Sequence, residues 1–401
     1  MPNLKQILIQ ITKFATSALA NTLITLLSIP ILISKLGAAL WGELALIQSI
    51  STFFAIFVAY GWGTIGSGLV ASIKAESRRE FYGRSVIIRI WLYAIAVVVQ
   101  ALFLCIISQI SLRVILLGAL SYLLPNLGAW WFYIGESSPR HLLFYDMLPK
   151  ALGTLFGLVF VWFFRTPESL LLPQLVFNLI LPVAALKIIR PTSMWISPRE
   201  QFSALKTMLS GFLAASMAAL YVNLPLVLVQ ILLPEQLAYY ALADKFFKYA
   251  TQAFSPVTQT LQGWIPEKTE LLMSRAKLGV MISAAIGMCG WIFLALALSP
   301  LTALLSARTI EVSHELGFIF GGAFCMIAIS QIIGVAILVP LKRETALVTS
   351  TTLGVLVALP LMLIFALKVG VGGVALALTI SEFCVTGFQM LAFFKIASTS
   401  K

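Results

Sequence analysis

Long apolar stretches, separated by short polar or charged breaks, run along the whole chain of 401 residues. Each stretch has about 20 residues, which as a helix is enough to cross the roughly 30 Å hydrocarbon core of a bilayer. If the breaks are loops, the pattern predicts an all-α polytopic membrane protein with about twelve transmembrane helices. The predicted spans are residues 9–33, 42–66, 86–108, 112–134, 142–164, 168–189, 207–233, 236–262, 278–299, 312–338, 345–367 and 371–394.

The eighth predicted span is the weakest by hydropathy. Composition supports the membrane class as a whole, since 60% of residues are hydrophobic, 10% are charged and the mean hydropathy is +1.00. The segment YYALADKFFKYATQ nevertheless places Asp244, Lys245 and Lys248 within five residues of this span. Whether it crosses the membrane therefore needs independent support.

The distribution of cations supplies that support. With twelve spans and the N-terminus inside, only a few of the 27 Lys and Arg residues fall in outer positions, and these are Lys35, Arg113, Arg165, Arg308 and Lys368. This is the positive-inside bias of membrane proteins. Removing the eighth span would invert every later loop and weaken the bias. We therefore expect an even number of spans, with both termini in the cytoplasm.

Charge and motif content exclude several other classes. The net charge of +12 is spread over short loops, where it orients the chain and meets anionic headgroups, so we expect no nucleic-acid partner. The four cysteines lie in different spans without CxxC spacing, and the two histidines are isolated, so we expect no metal site or disulfide framework. Without a nucleotide-binding loop or an extramembrane domain, we expect no cofactor and no enzyme activity. The GxGxxG at residues 61–66 ends a predicted span, which indicates close packing or a bend.

Similar layouts occur in the two halves of the chain. An Asn, a Pro within an apolar run, a short turn and an aromatic-edged helix follow one another in 21–49 and again in 223–245. The separation is near half the chain length, which predicts two pseudo-symmetric six-helix lobes, as in many secondary transporters. The predicted lobes are residues 1–190 and 207–401, joined by a cytoplasmic linker at 191–206.

Several short motifs occur in the first four spans: Asn21, Pro30, Leu36-Gly37, Trp41-Gly42, Gln48, Tyr60-Gly61-Trp62-Gly63 and WWFYIGESSPR from Trp130 to Arg140. On these motifs, with its length and basic inner loops, the chain resembles Wzx-type O-antigen and polysaccharide flippases of the MOP superfamily, which also contains MATE exporters. The chain departs from the family pattern at Tyr60, where an acidic residue is frequent, and at Tyr133, where Gln or a related polar residue is frequent.

The resemblance implies transport of an undecaprenyl-pyrophosphate-linked oligosaccharide from the cytoplasmic to the periplasmic leaflet of a bacterial inner membrane. Its implied partners are this substrate, membrane lipids, an H⁺ or Na⁺ counter-ion and other polysaccharide-assembly proteins. The lipid tail of such a substrate can remain in the bilayer, whereas the sugar requires a polar cavity and the pyrophosphate requires cations. We expect that cavity between the lobes, open to the cytoplasm.

Charged residues inside spans are the first candidates for this chemistry, because a charge at mid-membrane costs about 2.5 to 3.5 kcal/mol and must face protein or water. Lys245 and Lys248 are three apart and lie on one helix face, while Asp244 and Lys248 are four apart and can pair. The predicted pyrophosphate ligands are Lys245, Lys248, Arg89, Lys13 and Lys150. The predicted ion-coupling carboxylates are Asp244, Asp146 and Glu382, and the predicted sugar contacts are Tyr239, Tyr240, Tyr249, Gln252 and Asn223.

Structural interpretations stay open for most of these residues. Asp146 and Lys150 can form a self-neutralising pair, Lys13 and Arg89 can extend to inner-leaflet phosphates, and Glu382 can hold an interhelical hydrogen bond. Each tyrosine or amide is also a common packing residue. At the level of function, a MATE-type multidrug or cation antiporter and another lipid-linked precursor translocase remain alternatives, although lysines in the cavity have the wrong sign for cationic drugs.

Overall fold

The computed structural model describes residues 26–192, 194–195, 197–265, 272–341 and 343–399, and within these ranges every regular element is helical. Contacts divide the chain into two compact units, Met1–Val227 and Leu228–Lys401. The dividing line falls inside a long helix. The lobes at 1–190 and 207–401 and the linker at 191–206 stay a prediction.

The first unit contains short and long helices joined by tight connections. They are α1 (Leu26–Leu36), α2 (Ala38–Ala59), α3 (Ser67–Ser72), α4 (Ala75–Ile107), α5 (Leu112–Leu123), α6 (Trp130–Gly135), α7 (Pro139–Leu142), α8 (Leu148–Phe164), α9 (Pro167–Asn178), α10 (Ile180–Ile189) and most of α11 (Pro198–Leu232). The α-helical segments are interrupted by π-helical turns at Trp62–Gly66 and Leu143–Met147 and by a 3₁₀ turn at Leu124–Leu127.

The second unit is made of long helices. They are α12 (Leu237–Trp264), α13 (Leu272–Leu305), α14 (His314–Gln331), α15 (Glu344–Val369) and α16 (Val371–Thr399). A short turn at Pro234–Gln236 precedes α12, and a wide helical turn at Ile332–Leu338 follows α14. Neighbours along the chain pack together, α13 against α14 and α15 against α16, while α14 also packs against α12 and α16.

Nine helical segments among the described residues are long and apolar enough to cross a membrane. Their outer faces carry bare apolar side chains, such as Ile106, Leu367 and Leu391, which are 81%, 74% and 72% exposed. Such surfaces suit a hydrocarbon solvent. The predicted fold class is confirmed, and each predicted span overlaps a helix; the first does so only through α1, because residues 1–25 lie outside the described part. The eighth coincides with α12, which is continuous but too polar to count among the nine.

The glycine motif at the end of α2 bends the chain, as predicted. Tyr60 and Gly61 both have left-handed backbone conformations, with φ of 38° and 80°. A Cβ on Gly61 would collide with the Met208 carbonyl of α11, and one on Gly66 would lie 2.9 Å from the ring of Trp131. Glycine is required here both for the positive φ and for close approach of neighbouring backbones.

The start of α11 is fixed by a reciprocal cap. The Glu200 carboxylate accepts hydrogen bonds from the Ser197 backbone N–H and hydroxyl, both at 2.8 Å, and the Ser197 hydroxyl faces the Glu200 N–H at 3.4 Å. This arrangement is a capping box. Because these donors favour the charged form, they lower the pKa of Glu200 below its ordinary value of 4.5.

Candidate functional site

The charged segment of α12 lies on a helix that packs into the second unit. One side of α12 is buried against α14, where the Phe247 ring stacks on Phe320 with centroids 4.9 Å apart. The aromatic contact fixes the rotation of α12 about its axis. Its charged residues are therefore held in set positions beside a hydrophobic core.

Asp244 and Lys248 form the ion pair that their spacing predicts. Lys248 Nζ lies 2.7 Å from Asp244 Oδ2, and the Lys248 side chain is 24% exposed against 7% for the Asp244 side chain. A buried carboxylate of this kind requires a cation close by, because desolvation would otherwise be uncompensated. The pair neutralises one of the two lysine charges of this segment.

Lys245 follows Asp244 directly and is half-buried. It lies within electrostatic range of both Asp244 and Lys248. One carboxyl and two amine side chains therefore lie within about one turn of α12, and their interactions are mutual.

The aromatic and amide residues of α12 differ in what they contact. Tyr239 OH donates to Ser313 Oγ at 3.0 Å and accepts from the Ser313 N–H at 2.8 Å, which joins the start of α12 to the start of α14. Tyr240 is fully buried, with its ring 5.8 Å from that of Phe320. These contacts favour packing roles for both tyrosines. Tyr249 is half-buried with its hydroxyl inside the protein, whereas Gln252 is exposed and is the most accessible of the α12 residues predicted to contact sugar.

Asn223, predicted as a sugar contact, ties two helices of the first unit together. Its Oδ1 accepts from Ser49 Oγ of α2 at 3.0 Å, and its Nδ2 donates to the Ala219 carbonyl at 2.9 Å. It also borders an apolar cavity of about 160 Å³ lined by Ile50, Phe53 and other hydrophobic residues. The surroundings favour an interhelical role.

Arg89 is buried in the first unit and held by backbone carbonyls. It is 1% exposed, and its Nη1 donates to the carbonyls of Asn126 and Gly128 at 3.0 and 2.8 Å. The guanidinium carbon also lies 5.4 Å from the Tyr82 ring centre and 5.5 Å from that of Trp131. Both carbonyls belong to the break between α5 and α6, where no helical N–H is available to them. Arg89 therefore supplies the hydrogen bonds that these backbone groups lack.

Asp146 and Lys150 also form their predicted pair, with 2.6 Å between Lys150 Nζ and Asp146 Oδ2. Asp146 is 4% exposed, and its other oxygen has no hydrogen-bond partner among the described residues. The Tyr133 and His141 rings lie nearby, with centroids 5.6 Å apart. The pair is local, and within it the Lys150 charge is already balanced.

The remaining predicted residues are placed as follows. Glu382 is buried in α16, and the preceding Ser381 hydroxyl donates to the Gly354 carbonyl of α15 at 2.7 Å. Lys13 lies outside the described residues. Within the part of the chain that is described, no group of three His, Cys, Asp or Glu side chains could hold a metal ion. The predicted roles in substrate binding and ion coupling stay predictions.

Several polar contacts between helices were not anticipated from the sequence. Gln100 Nε2 donates to Ser51 Oγ at 2.6 Å, and Thr258 Oγ1 donates to Gln331 Oε1 at 3.0 Å. Each is a polar residue within an apolar window. This placement in the sequence could have indicated the contacts, because a polar side chain within a span is expected to find a partner on a neighbouring helix.

Comparison with known proteins identifies the fold. No family model and no curated protein matches the sequence. Among solved structures, the lipid II flippase MurJ in an inward closed conformation matches with a TM-score of 0.75 and 14% identity, over 94% of this chain and 87% of that one. An inward-facing multidrug resistance MATE family transporter of the MOP superfamily matches at 0.63 and 16%, over 98% and 100%. The Vibrio cholerae MATE transporter VcmN matches at 0.58 and 15%, over 98% of each chain.

At these identities the similarity establishes the fold alone. The chain has the fold shared by MurJ and the MATE transporters, which is the fold of the MOP superfamily. Together with its apolar helices, this makes the chain a multi-pass membrane protein.

Proposed function

We propose that this protein is a flippase that moves an undecaprenyl-pyrophosphate-linked oligosaccharide, such as an O-antigen repeat unit, from the cytoplasmic to the periplasmic leaflet by alternating access. The observation that carries the proposal is the charged cluster of Asp244, Lys245 and Lys248 on one turn of α12, beside a hydrophobic core. Charged side chains within a span are costly and are usually retained for function. A pyrophosphate is an anion that the two lysines would bind.

The fold supports a lipid-linked substrate. The structural neighbour MurJ is named as a lipid II flippase, and it matches most of this chain. A substrate of this type keeps its tail in the bilayer while its polar part crosses inside the protein. The observed apolar outer faces and polar interior contacts accord with that division.

Lys245 and Lys248 are the proposed pyrophosphate ligands of greatest weight. Arg89 and Lys150 rank below them, since Arg89 is held by carbonyls and Lys150 is balanced by Asp146. For sugar contacts, the exposure of Gln252 places it ahead of Tyr239, Tyr240 and Tyr249. Asp244, Asp146 and Glu382, which are 5%, 4% and 6% exposed, remain the proposed carboxylates for a coupled H⁺ or Na⁺.

The membrane potential can contribute to export of such a substrate. A pyrophosphate carrying about two negative charges moves toward the positive outside, which releases about 4 to 5 kcal/mol per 100 mV. Alternating access then requires only that the substrate binds one conformation better than the other.

A MATE-type antiporter is the second candidate, because MATE transporters match this chain over nearly its whole length. Their described activity is multidrug resistance. The two lysines of α12 argue against a cationic drug, which would be repelled by them. A translocase for another lipid-linked precursor, including lipid II, fits the charge as well as the O-antigen reading does.

The proposal is tested in a strain that needs this gene for surface polysaccharide. Lys245→Gln and Lys248→Gln, singly and together, should reduce polymer at unchanged protein level, and the charge-reversing Lys245→Glu should reduce it further. Lys368→Gln is the matched control, since Lys368 is an exposed cation in the last turn of α15. Normal polymer in the double variant would remove these lysines from the mechanism. A strain without the gene that keeps its polymer and becomes drug-sensitive would favour the antiporter.

A further inference from the structure

A second basic feature lies in the second unit, away from the charged turn of α12. A cleft of about 360 Å³ opens between the start of α15 and the end of α16. Its polar side is formed by the cations Arg343 and Lys395 and by the threonines Thr345 and Thr349. None of these residues takes part in the transport proposal.

The cleft is amphiphilic. Opposite its polar groups lie apolar side chains that include Leu338 and Phe388. Leu338 is completely buried and Phe388 is half-buried, so they form a floor, whereas Arg343 and Lys395 are exposed at the rim. A charged rim above an apolar floor matches a molecule with an anionic head and a hydrocarbon body.

The backbone adds to this preference. The first turn of α15 begins after Arg343, whose side chain makes no capping hydrogen bond in the described structure. The first N–H groups of a helix point outward and carry partial positive charge, which favours an anion. Two cations, the Thr345 side chain and a helix start thus line one cleft, whereas the Thr349 hydroxyl already donates to the Thr345 carbonyl at 2.8 Å.

The location fits the cytoplasmic leaflet. The positive-inside distribution predicts that the loop before α15 and the C-terminal end of α16 both lie in the cytoplasm. The cytoplasmic membrane surface is negatively charged, and basic pockets between transmembrane helices on this side are suited to binding anionic headgroups.

We propose that this cleft binds a phosphate group, with Arg343 and Lys395 as its charge partners, and that the apolar floor favours a phosphate carried by a membrane lipid. Bound there, the lipid joins the start of α15 to the end of α16. The site is separate from the substrate proposal and stands or falls independently of it.

The test measures the melting temperature of the full-length purified protein in detergent micelles. Phosphatidylglycerol, phosphatidylcholine and inorganic phosphate are titrated separately. Phosphatidylglycerol should raise the melting temperature of the native protein, and phosphatidylcholine should not. Arg343→Gln/Lys395→Gln should raise the half-saturating concentration of phosphatidylglycerol roughly 10- to 30-fold, at about 1 kcal/mol per cation.

Lys368→Gln is again the matched control, because it removes a cation from the opposite end of α15 and should leave lipid stabilisation unchanged. Should the double variant fold poorly, Ala392→Leu, which narrows the cleft without altering charge, should weaken stabilisation similarly. If inorganic phosphate also stabilises the protein and this stabilisation depends on the same two cations, the site is supported with free phosphate, in place of a lipid, as its ligand. Equal stabilisation of the double variant and the native protein, or none by either ligand, would overturn the proposal.

Discussion

Replacing Arg89 separates a structural role from a substrate-binding role. Arg89→Met keeps much of the side-chain volume but removes the donors that reach the carbonyls of Asn126 and Gly128. Each of the two buried acceptors left without a donor costs about 1–3 kcal/mol, or about 2–6 kcal/mol together. The desolvation cost of the guanidinium is relieved at the same time, which offsets part of this loss. We expect a net loss of stability of about 2–4 kcal/mol.

The assay is thermal unfolding of the purified protein, followed by tryptophan fluorescence, together with the amount of protein in membranes. For a chain of 401 residues, a loss of this size corresponds to a melting temperature lower by roughly 2 to 5 °C. Arg84→Met on the same helix is the control. Arg84 pairs with Glu80 at 2.6 Å, but both side chains are 46% exposed, and exposed pairs contribute about 0–1 kcal/mol.

Two outcomes separate the roles of Arg89. If Arg89→Met melts well below Arg84→Met and accumulates poorly, Arg89 acts by closing the gap between α5 and α6. If the two variants are equally stable and only Arg89→Met loses polysaccharide, the reasoning from its carbonyl contacts is refuted, and Arg89 is a substrate ligand. Arg89→Lys should be intermediate in stability under the first outcome, because one ammonium replaces a planar guanidinium.

Three further predictions concern local features of the chain. Asp244→Asn should lower stability by about 1–3 kcal/mol, and combining it with Lys248→Gln should cost less than the sum of the two single losses, as measured in a double-mutant cycle of melting temperatures. Gly61→Ala should lower stability by about 2 kcal/mol or more through its positive φ and backbone collision, whereas Gly68→Ala, which meets open space in α3, should be neutral or stabilising by about 1 kcal/mol. Glu200→Gln should destabilise at neutral pH, and the difference in melting temperature should vanish as pH falls through the lowered pKa of Glu200, because protonation then removes the same charge from the native protein.

Each of these has a clear contrary result. If the stability losses of Asp244→Asn and Lys248→Gln add up to that of the double variant, the ion pair on α12 contributes no coupling free energy. Equal melting temperatures for the two glycine variants would remove the requirement for glycine at the bend. A difference for Glu200→Gln that persists unchanged at acidic pH would mean that its effect comes from shape and not from charge.

Hydropathy located the helices because lipid is the solvent of this protein. Within a bilayer the backbone must satisfy its own hydrogen bonds, so an apolar run of sufficient length is constrained to be helical. The segment predicted as the eighth span is helical despite its charges, as α12, and its crossing of the membrane stays a prediction. Local spacing was also sufficient for the ion pairs, since Asp146 with Lys150 and Asp244 with Lys248 are four residues apart on one helix.

Contacts between distant segments could not be read in the same way. The carbonyls that hold Arg89 come from residues 37 and 39 positions later, and they are available only because the chain breaks between α5 and α6. Hydropathy runs continuously through that break. Likewise, nothing in the spacing around Tyr240 distinguishes a ring packed on Phe320 from one facing a polar cavity.

We propose above that Lys245 and Lys248 of α12 hold an anionic lipid-linked substrate during its passage. Proteoliposomes containing the purified protein and a fluorescent undecaprenyl-pyrophosphate oligosaccharide measure this directly, through the rate at which the sugar becomes protected from an external lectin. The account predicts rapid protection with the native protein and with Lys368→Gln, and a loss of about tenfold or more with Lys245→Gln/Lys248→Gln, on the scale of about 1 kcal/mol per cation. Protection by the double variant at the native rate would contradict it.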